Sequence, residues 1–153
     1  VKVVKKTREE TLPLYLYSLL LSSARLLEDI RTADIMLDSV ELTNPACQKL
    51  FVLLKAFAES GGTVLEDFAK TLPSELVEVY DTAFIAPIPE LDAKTLSSEI
   101  KKTAYEAKKM AIKNRLQAIT VEIEAVEKTK DAANVSALQE EASLLTQKLY
   151  ATS

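Results

Sequence analysis

The side chains that could do chemistry in this 153-residue chain are few and scattered. Histidine is absent, which removes the commonest acid–base residue and a common metal ligand. Cys47 is the lone cysteine. It shares a helical stripe with Leu50, Phe51, Leu54 and Phe57, so it reads as core filling rather than as a nucleophile. With no second cysteine no internal disulfide can form, which fits a reducing compartment, and the cytoplasm is the expected location. There is no Gly-rich phosphate loop and no Cys-x-x-Cys pair. The acidic pairs Glu9-Glu10, Glu28-Asp29 and Glu66-Asp67 are adjacent in sequence, so on a helix their carboxylates diverge and cannot share a metal or a substrate. They read as solvated faces or as favourable charges near helix N-termini. No catalytic residue, cofactor or metal site is expected, and this stretch of chain is not expected to be an enzyme.

What must hold the remaining side chains in place is helical. Only two glycines occur, Gly61 and Gly62, which argues against hairpin-rich β folds whose turns need positive φ. Apolar residues make up 48% and charged residues 27%, so the chain is globular rather than disordered. Leu12, Tyr15, Leu16, Leu19 and Leu20 form a first helical stripe. The apolar run Leu12–Leu21 is too short to span a bilayer. It follows the basic stretch Val1–Arg8, but two tyrosines interrupt it and no small-residue cleavage site follows, so it is read as a helix and not as a signal peptide. Short segments are expected at about 24–30 and 33–37. Asn44-Pro45 is a start signal for a helix ending at Ser60-Gly61-Gly62. Thr63 to Glu66 has the spacing of a capping box for a short helix reaching about Lys70. Pro73 opens another helix, with Leu76, Val79, Tyr80 and Phe84 expected on its core side. Pro87 and Pro89 then break the chain.

Beyond Asp92 the character changes. A single helix is expected from about Ala93 to Glu127, then a turn near 128–131, then a last helix to about Tyr150. Ile112, Leu116, Ile119, Ile123 and Val126 step by 4, 3, 4 and 3. Val135, Leu138, Ala142, Leu145 and Leu149 step by 3, 4, 3 and 4. Both are coiled-coil-like seams of about two heptads. A short loop between them predicts antiparallel packing into a helical hairpin of marginal stability. The expected architecture is therefore all-α: a compact six-helix body over residues 10–110, and a C-terminal antiparallel hairpin over 111–151 that shares the long helix 93–127.

Two surfaces stand out. Val121 and Leu144 lie off their seams, and Tyr150 lies near the end of the last helix. Exposed apolar and aromatic groups there point to a partner-binding surface. The charge is also uneven. From Glu9 to Asp92 there are 5 basic and 15 acidic residues, a balance of −10, and from Ala93 to Arg115 there are 7 basic and 2 acidic, a balance of +5. Lys101, Lys102, Lys108 and Lys109 form a candidate basic contact surface. The net charge is −4, and Tyr105 is the only aromatic among these lysines, so direct nucleic-acid binding is not expected.

These features resemble the C-terminal helicase-binding domain of bacterial DNA primase over about Leu12 to Leu149. The resemblance rests on the Leu-rich opening helix Leu14–Leu27 (LYLYSLLLSSARLL) and the helix Asn44–Leu54 (NPACQKLFVLL). It rests further on the Gly61-Gly62 stop, and on the long helix, turn and last helix ending in Leu138–Leu149 (LQEEASLLTQKL). It implies a helical body joined to a hairpin that docks on the N-terminal collar of the replicative DNA helicase in the bacterial cytoplasm. A contact with single-strand-binding protein through basic residues near the hairpin base is also implied. The zinc-binding and RNA polymerase domains of such a primase would lie upstream; the start at Val1 rather than Met fits a piece of a longer protein. The N-terminal collar domain of the replicative helicase itself is similar in plan and would act by oligomerisation. The Leu-rich start, the long basic helix and the terminal hairpin favour the primase side, and Ala151-Thr152-Ser153 reads as an end rather than a linker.

Overall fold

The computed structural model describes residues 8–151. The basic stretch ahead of Arg8, on which the signal-peptide question turned, lies outside the described residues, as do the side chains of Glu9 and Glu10. Seven helices and no strand occur among the described residues: α1 (Arg8–Leu21), α2 (Leu26–Leu37), α3 (Pro45–Glu59), α4 (Leu65–Lys70), α5 (Ser74–Ile85), α6 (Ala93–Glu127) and α7 (Ala132–Ala151). The chain divides into two units, the first ending at Lys108 and the second beginning at Lys109, so the division falls inside α6.

In the first unit α1 is the central element. Leu16, Tyr17, Leu19, Leu20 and Leu21 are all buried, which wraps burial around most of the helix rather than along one stripe. α1 runs through Pro13, which is itself fully buried. Where two short segments are expected over 24–37, one helix forms. Nothing between Ile30 and Ala33 breaks it, because Arg31 and Thr32 are both tolerated in helices. It ends at Asp38, whose left-handed backbone (φ 49°, ψ 52°) lets its N–H return to the Asp34 and Ile35 carbonyls. The body is thus α1–α5 plus the first part of α6, rather than six separate helices before the proline break.

α3 starts as its sequence dictates. The Asn44 side chain accepts from the N–H groups of Ala46 (3.0 Å) and Cys47 (3.3 Å), and Pro45 occupies the first turn. At its other end Gly61 takes φ +92°, and the Gly62 N–H reaches the Phe57 carbonyl at 3.0 Å. Gly62 is favoured for a different reason: a Cβ there would run into the Phe57 ring. The expected capping box at Thr63 does not form. α4 begins one residue late, with Val64 at the N-cap and no side-chain cap hydrogen bond, so Glu66 and Asp67 supply the favourable first-turn charge instead. Phe57, Phe68 and Tyr80 pack in series as tilted rings, with centroids 5.3 and 5.8 Å apart, and tie α3, α4 and α5 together.

α5 buries Leu76, Tyr80 and Ala83. Phe84, expected on the core side, is 56% exposed. Ala83 takes the inward position one turn beyond Tyr80, and Phe84 is rotated to the outer face, where its ring stacks on Tyr80 at 5.8 Å. The segment with Pro87 and Pro89 then breaks the helical run, and Asp92 restarts it by accepting from the Thr95 N–H at 2.7 Å. That bond holds the Asp92 carboxyl below the usual carboxylate range.

The first part of α6 lays Leu96, Ile100, Ala104 and Ala107 into the core of this unit. The acidic pair Glu28-Asp29 lies in the first turn of α2, as a charge near a helix N-terminus, and Glu28 is exposed, but Asp29 is not solvated. Asp29 is 3% exposed and accepts hydrogen bonds from the hydroxyls of Ser23 and of Ser97, the latter at 2.7 Å. It fastens the α1–α2 turn to the start of α6.

The second unit comprises α6 from Lys109, a turn over 128–131, and α7. Ile112, Ile119 and Leu138 are buried there, and the other seam positions are half-buried. Lys130 closes the turn at φ 60°, and Asp131 caps α7 by accepting from the Asn134 N–H at 3.2 Å. The Arg115 guanidinium donates to both carboxylate oxygens of Glu141, at 2.6 and 2.9 Å, and to Glu122 at 3.0 Å.

Candidate protein-docking surface

Val121, Leu144 and Tyr150 all lie in the second unit, held by α6 and α7. They are 66%, 54% and 72% exposed. Their exposure follows from helical geometry. The seam residues on either side, Ile119 and Ile123 or Ala142 and Leu145, turn inward, and a residue one or two places away is carried to the outer surface. Side chains this apolar lose solvent-exposed surface at little conformational cost when a partner covers them, which is the energetic basis of an anchor residue.

The charged frame around them is ordered. Arg115 is fixed by two carboxylates, and its guanidinium holds the Glu141 carboxyl below the usual carboxylate range through paired hydrogen bonds. Both charges are partly exposed, so the bond orients the side chains more than it adds stability.

The basic candidates separate into two groups. Lys101 and Lys102 are exposed on α6 and Lys109 is half-buried. Lys102 lies on an open cleft with Tyr15 and Glu99, where the Tyr15 hydroxyl donates to Glu99 at 3.3 Å. Burial first, and the Glu99 charge second, push the Tyr15 phenol above its ordinary pKa. Lys108 does not belong to this surface. It is only 3% exposed, with its ammonium 3.8 Å from the Asp38 carboxylate. It lies on the same side of α6 as the buried Ala104 and Ala107. Of the four basic candidates, Lys108 is therefore the one that is buried.

Cys47 is fully buried, as its helical stripe predicts. Among the described residues no three His, Cys, Asp or Glu side chains are grouped so as to hold a metal ion, and no helix is long and apolar enough to cross a membrane. Sequence reading also missed an exposed apolar face on α5, formed by Val77, Phe84 and Ile85. Their i, i+7, i+8 spacing was the available signal, hidden because a stripe at that spacing equally describes a core-facing helix.

Comparison with protein-family models, with curated proteins and with solved structures finds no match for this chain.

Proposed function

We propose that this chain is a non-catalytic docking module, the helicase-interaction domain of a bacterial primase, and that its second unit is an antiparallel helical hairpin that provides the contact. The observation that carries this reading is the exposure of Val121, Leu144 and Tyr150 on a unit whose seam residues are consistently less exposed than they are. Two helices that use their apolar stripes on each other have these three groups left for a partner. The hairpin reading is supported by the Arg115–Glu141 bond. Counted from the seams, Arg115 immediately precedes Leu116 and Glu141 immediately precedes Ala142, so the two occupy equivalent flanking positions, which face each other when helices run antiparallel. The short turn over 128–131 supports it as well.

The family role rests on the order and lengths of the helices and on the quoted sequence stretches. In that role the module acts by tethering. Holding a priming enzyme on the collar of the replicative helicase converts a bimolecular encounter into a local one and raises the effective concentration at the fork. Lys101, Lys102 and Lys109 would supply the contact to single-strand-binding protein.

The test is size-exclusion chromatography with light scattering, on the chain alone and mixed with a bacterial replicative helicase hexamer. A monomer that co-elutes with the hexamer supports the reading. Self-assembly into a dimer or ring that ignores the hexamer supports the helicase-collar reading instead. Val121→Asp and Leu144→Asp should each change stability by no more than about 0.5 kcal/mol, as surface substitutions do. Each should weaken helicase binding about tenfold or more, or about 1.4 kcal/mol. Loss of the folded state in either variant would identify that residue as core and remove it from the surface.

A further inference from the structure

The first unit carries an exposed face that the docking reading does not use. On α5, Val77, Phe84 and Ile85 are 40%, 56% and 77% exposed. One helical turn advances 3.6 residues, so positions 77, 81, 84 and 85 share one side of the helix, turned roughly 120° from the buried Leu76, Tyr80 and Ala83. Phe84 is not a loose surface aromatic: its ring stacks on Tyr80, whose other neighbour is the buried ring of Phe68. The face is thus presented from a fixed base, which lowers the ordering cost of covering it.

Its charge says what could cover it. From Ser74 to Asp92 there are five acidic residues, Glu75, Glu78, Asp81, Glu90 and Asp92, and no basic one. Asp81 stands within the apolar stripe and Glu78 at its edge, both exposed. An anionic or neutral apolar partner would bury these carboxylates against nothing. A cationic amphipathic helix would satisfy both features, its apolar side on Phe84 and Ile85 and its ammonium or guanidinium groups on Asp81 and Glu78.

We propose that the outer face of α5 is a second docking surface, independent of Val121, Leu144 and Tyr150, and that it takes a lysine- or arginine-rich amphipathic helix of another protein. Apolar burial supplies the hold, and the carboxylates select the sign of the partner and steer its approach.

A synthetic amphipathic helix of leucine and lysine, about four turns long and fluorescently labelled, tests this by anisotropy against the whole chain. A matched peptide with glutamate in place of lysine serves as control. Saturable binding of the lysine peptide is expected, weakening as salt rises, with none of the glutamate peptide. Ile85→Asp and Phe84→Asp should each reduce affinity about tenfold or more, Asp81→Asn several-fold at low salt, and Val121→Asp not at all. Ile85 carries the most decisive variant, because at 77% exposure its replacement leaves the fold intact. Circular dichroism melting checks this. Equal affinity of the wild type and the Ile85→Asp chain would overturn the proposal, as would absence of binding. Self-association that Ile85→Asp abolishes would also overturn it, since the face would then belong to a second copy of this chain.

Discussion

The two units spend their apolar residues differently. In the first, Leu16, Leu19, Leu20, Ile30, Leu50, Leu54 and Ile100 are essentially inaccessible, and each is worth roughly 1.5–3 kcal/mol of burial. In the second, Ile112 and Ile119 reach that state, Leu138 stays at 9%, and the remaining seam positions are half-buried. A unit with fewer helices has fewer elements to enclose a side chain, whereas several helices enclose side chains from all directions. The first unit gains a core that tolerates an exposed apolar face on α5. The second has few fully buried side chains and carries polar devices: the Asp131 cap and the Arg115–Glu141 bond. A deep core resists change, while a thin one leaves its outer residues available for contact.

The strongest way to test that contrast is Ile119→Asp. A carboxylate placed at a position 1% exposed should cost on the order of 3–5 kcal/mol, more than so thin a seam can offset. Amide hydrogen exchange should find protection lost across α7 and kept across α1 and α3. If protection falls together in both units, they are one cooperative block and the contrast is void.

Leu54→Ala reverses the emphasis. It opens a cavity in the deep core and should lower stability by about 2–5 kcal/mol in chemical denaturation. Leu145→Ala, on the half-buried seam of the second unit, should cost clearly less. Equal losses would mean that the burial difference does not translate into energy.

A smaller effect comes from a polar atom in the deep core. Tyr17 is 1% exposed, and its hydroxyl finds no hydrogen-bond partner among the described residues. Burial foremost, with the neighbouring Tyr80 and Cys47 adding to it, pushes its phenol well above the ordinary value of 10.0. The folded state therefore holds the proton more tightly than the unfolded chain, so stability is intact below pH 10 and falls as pH rises past it. Tyr17→Phe should stabilise the protein by about 1 kcal/mol at neutral pH and remove this alkaline loss. A destabilised Phe variant would indicate a hydrogen bond to a bound water.

The smallest effect is at Glu141. Its folded pKa lies below the unfolded value, so the contribution of the Arg115 bond is present above the ordinary glutamate range and is lost as pH falls through the folded pKa. Glu141→Gln should lower stability at neutral pH by about 0.5 kcal/mol, and it should flatten the acid limb of the second unit's melting curve while leaving that of the first unaltered.

Where the fold was legible in the sequence, local chemistry was the reason. Asn44-Pro45, Gly61-Gly62, Asp92 and the glycine- and proline-free stretch after it mark helix ends through bonds made within a few residues, and α3 and α6 follow them. The exposure of Val121 and Leu144 was legible for the same reason, because a 3–4 step fixes which residues lie off the stripe. Thr63 does not cap α4, because the helix starts one residue later with Val64 at the N-cap, a one-residue shift that spacing alone does not fix. Lys108, Asp29 and Phe84 were misjudged together. For Lys108 and Asp29 the outcome depends on a partner far away in sequence, Asp38 and Ser97 respectively, and for Phe84 on Ala83 taking the inward position beside it.

By itself, then, the amino-acid order determined helical class and most helix boundaries, which follow from steric preference and a 3.6-residue repeat, and the uneven charge, which is read directly from the residues. Only the tertiary structure decided which polar side chains are buried and which apolar faces remain in water. Burial depends on what other elements place opposite a residue, and no local pattern contains that information.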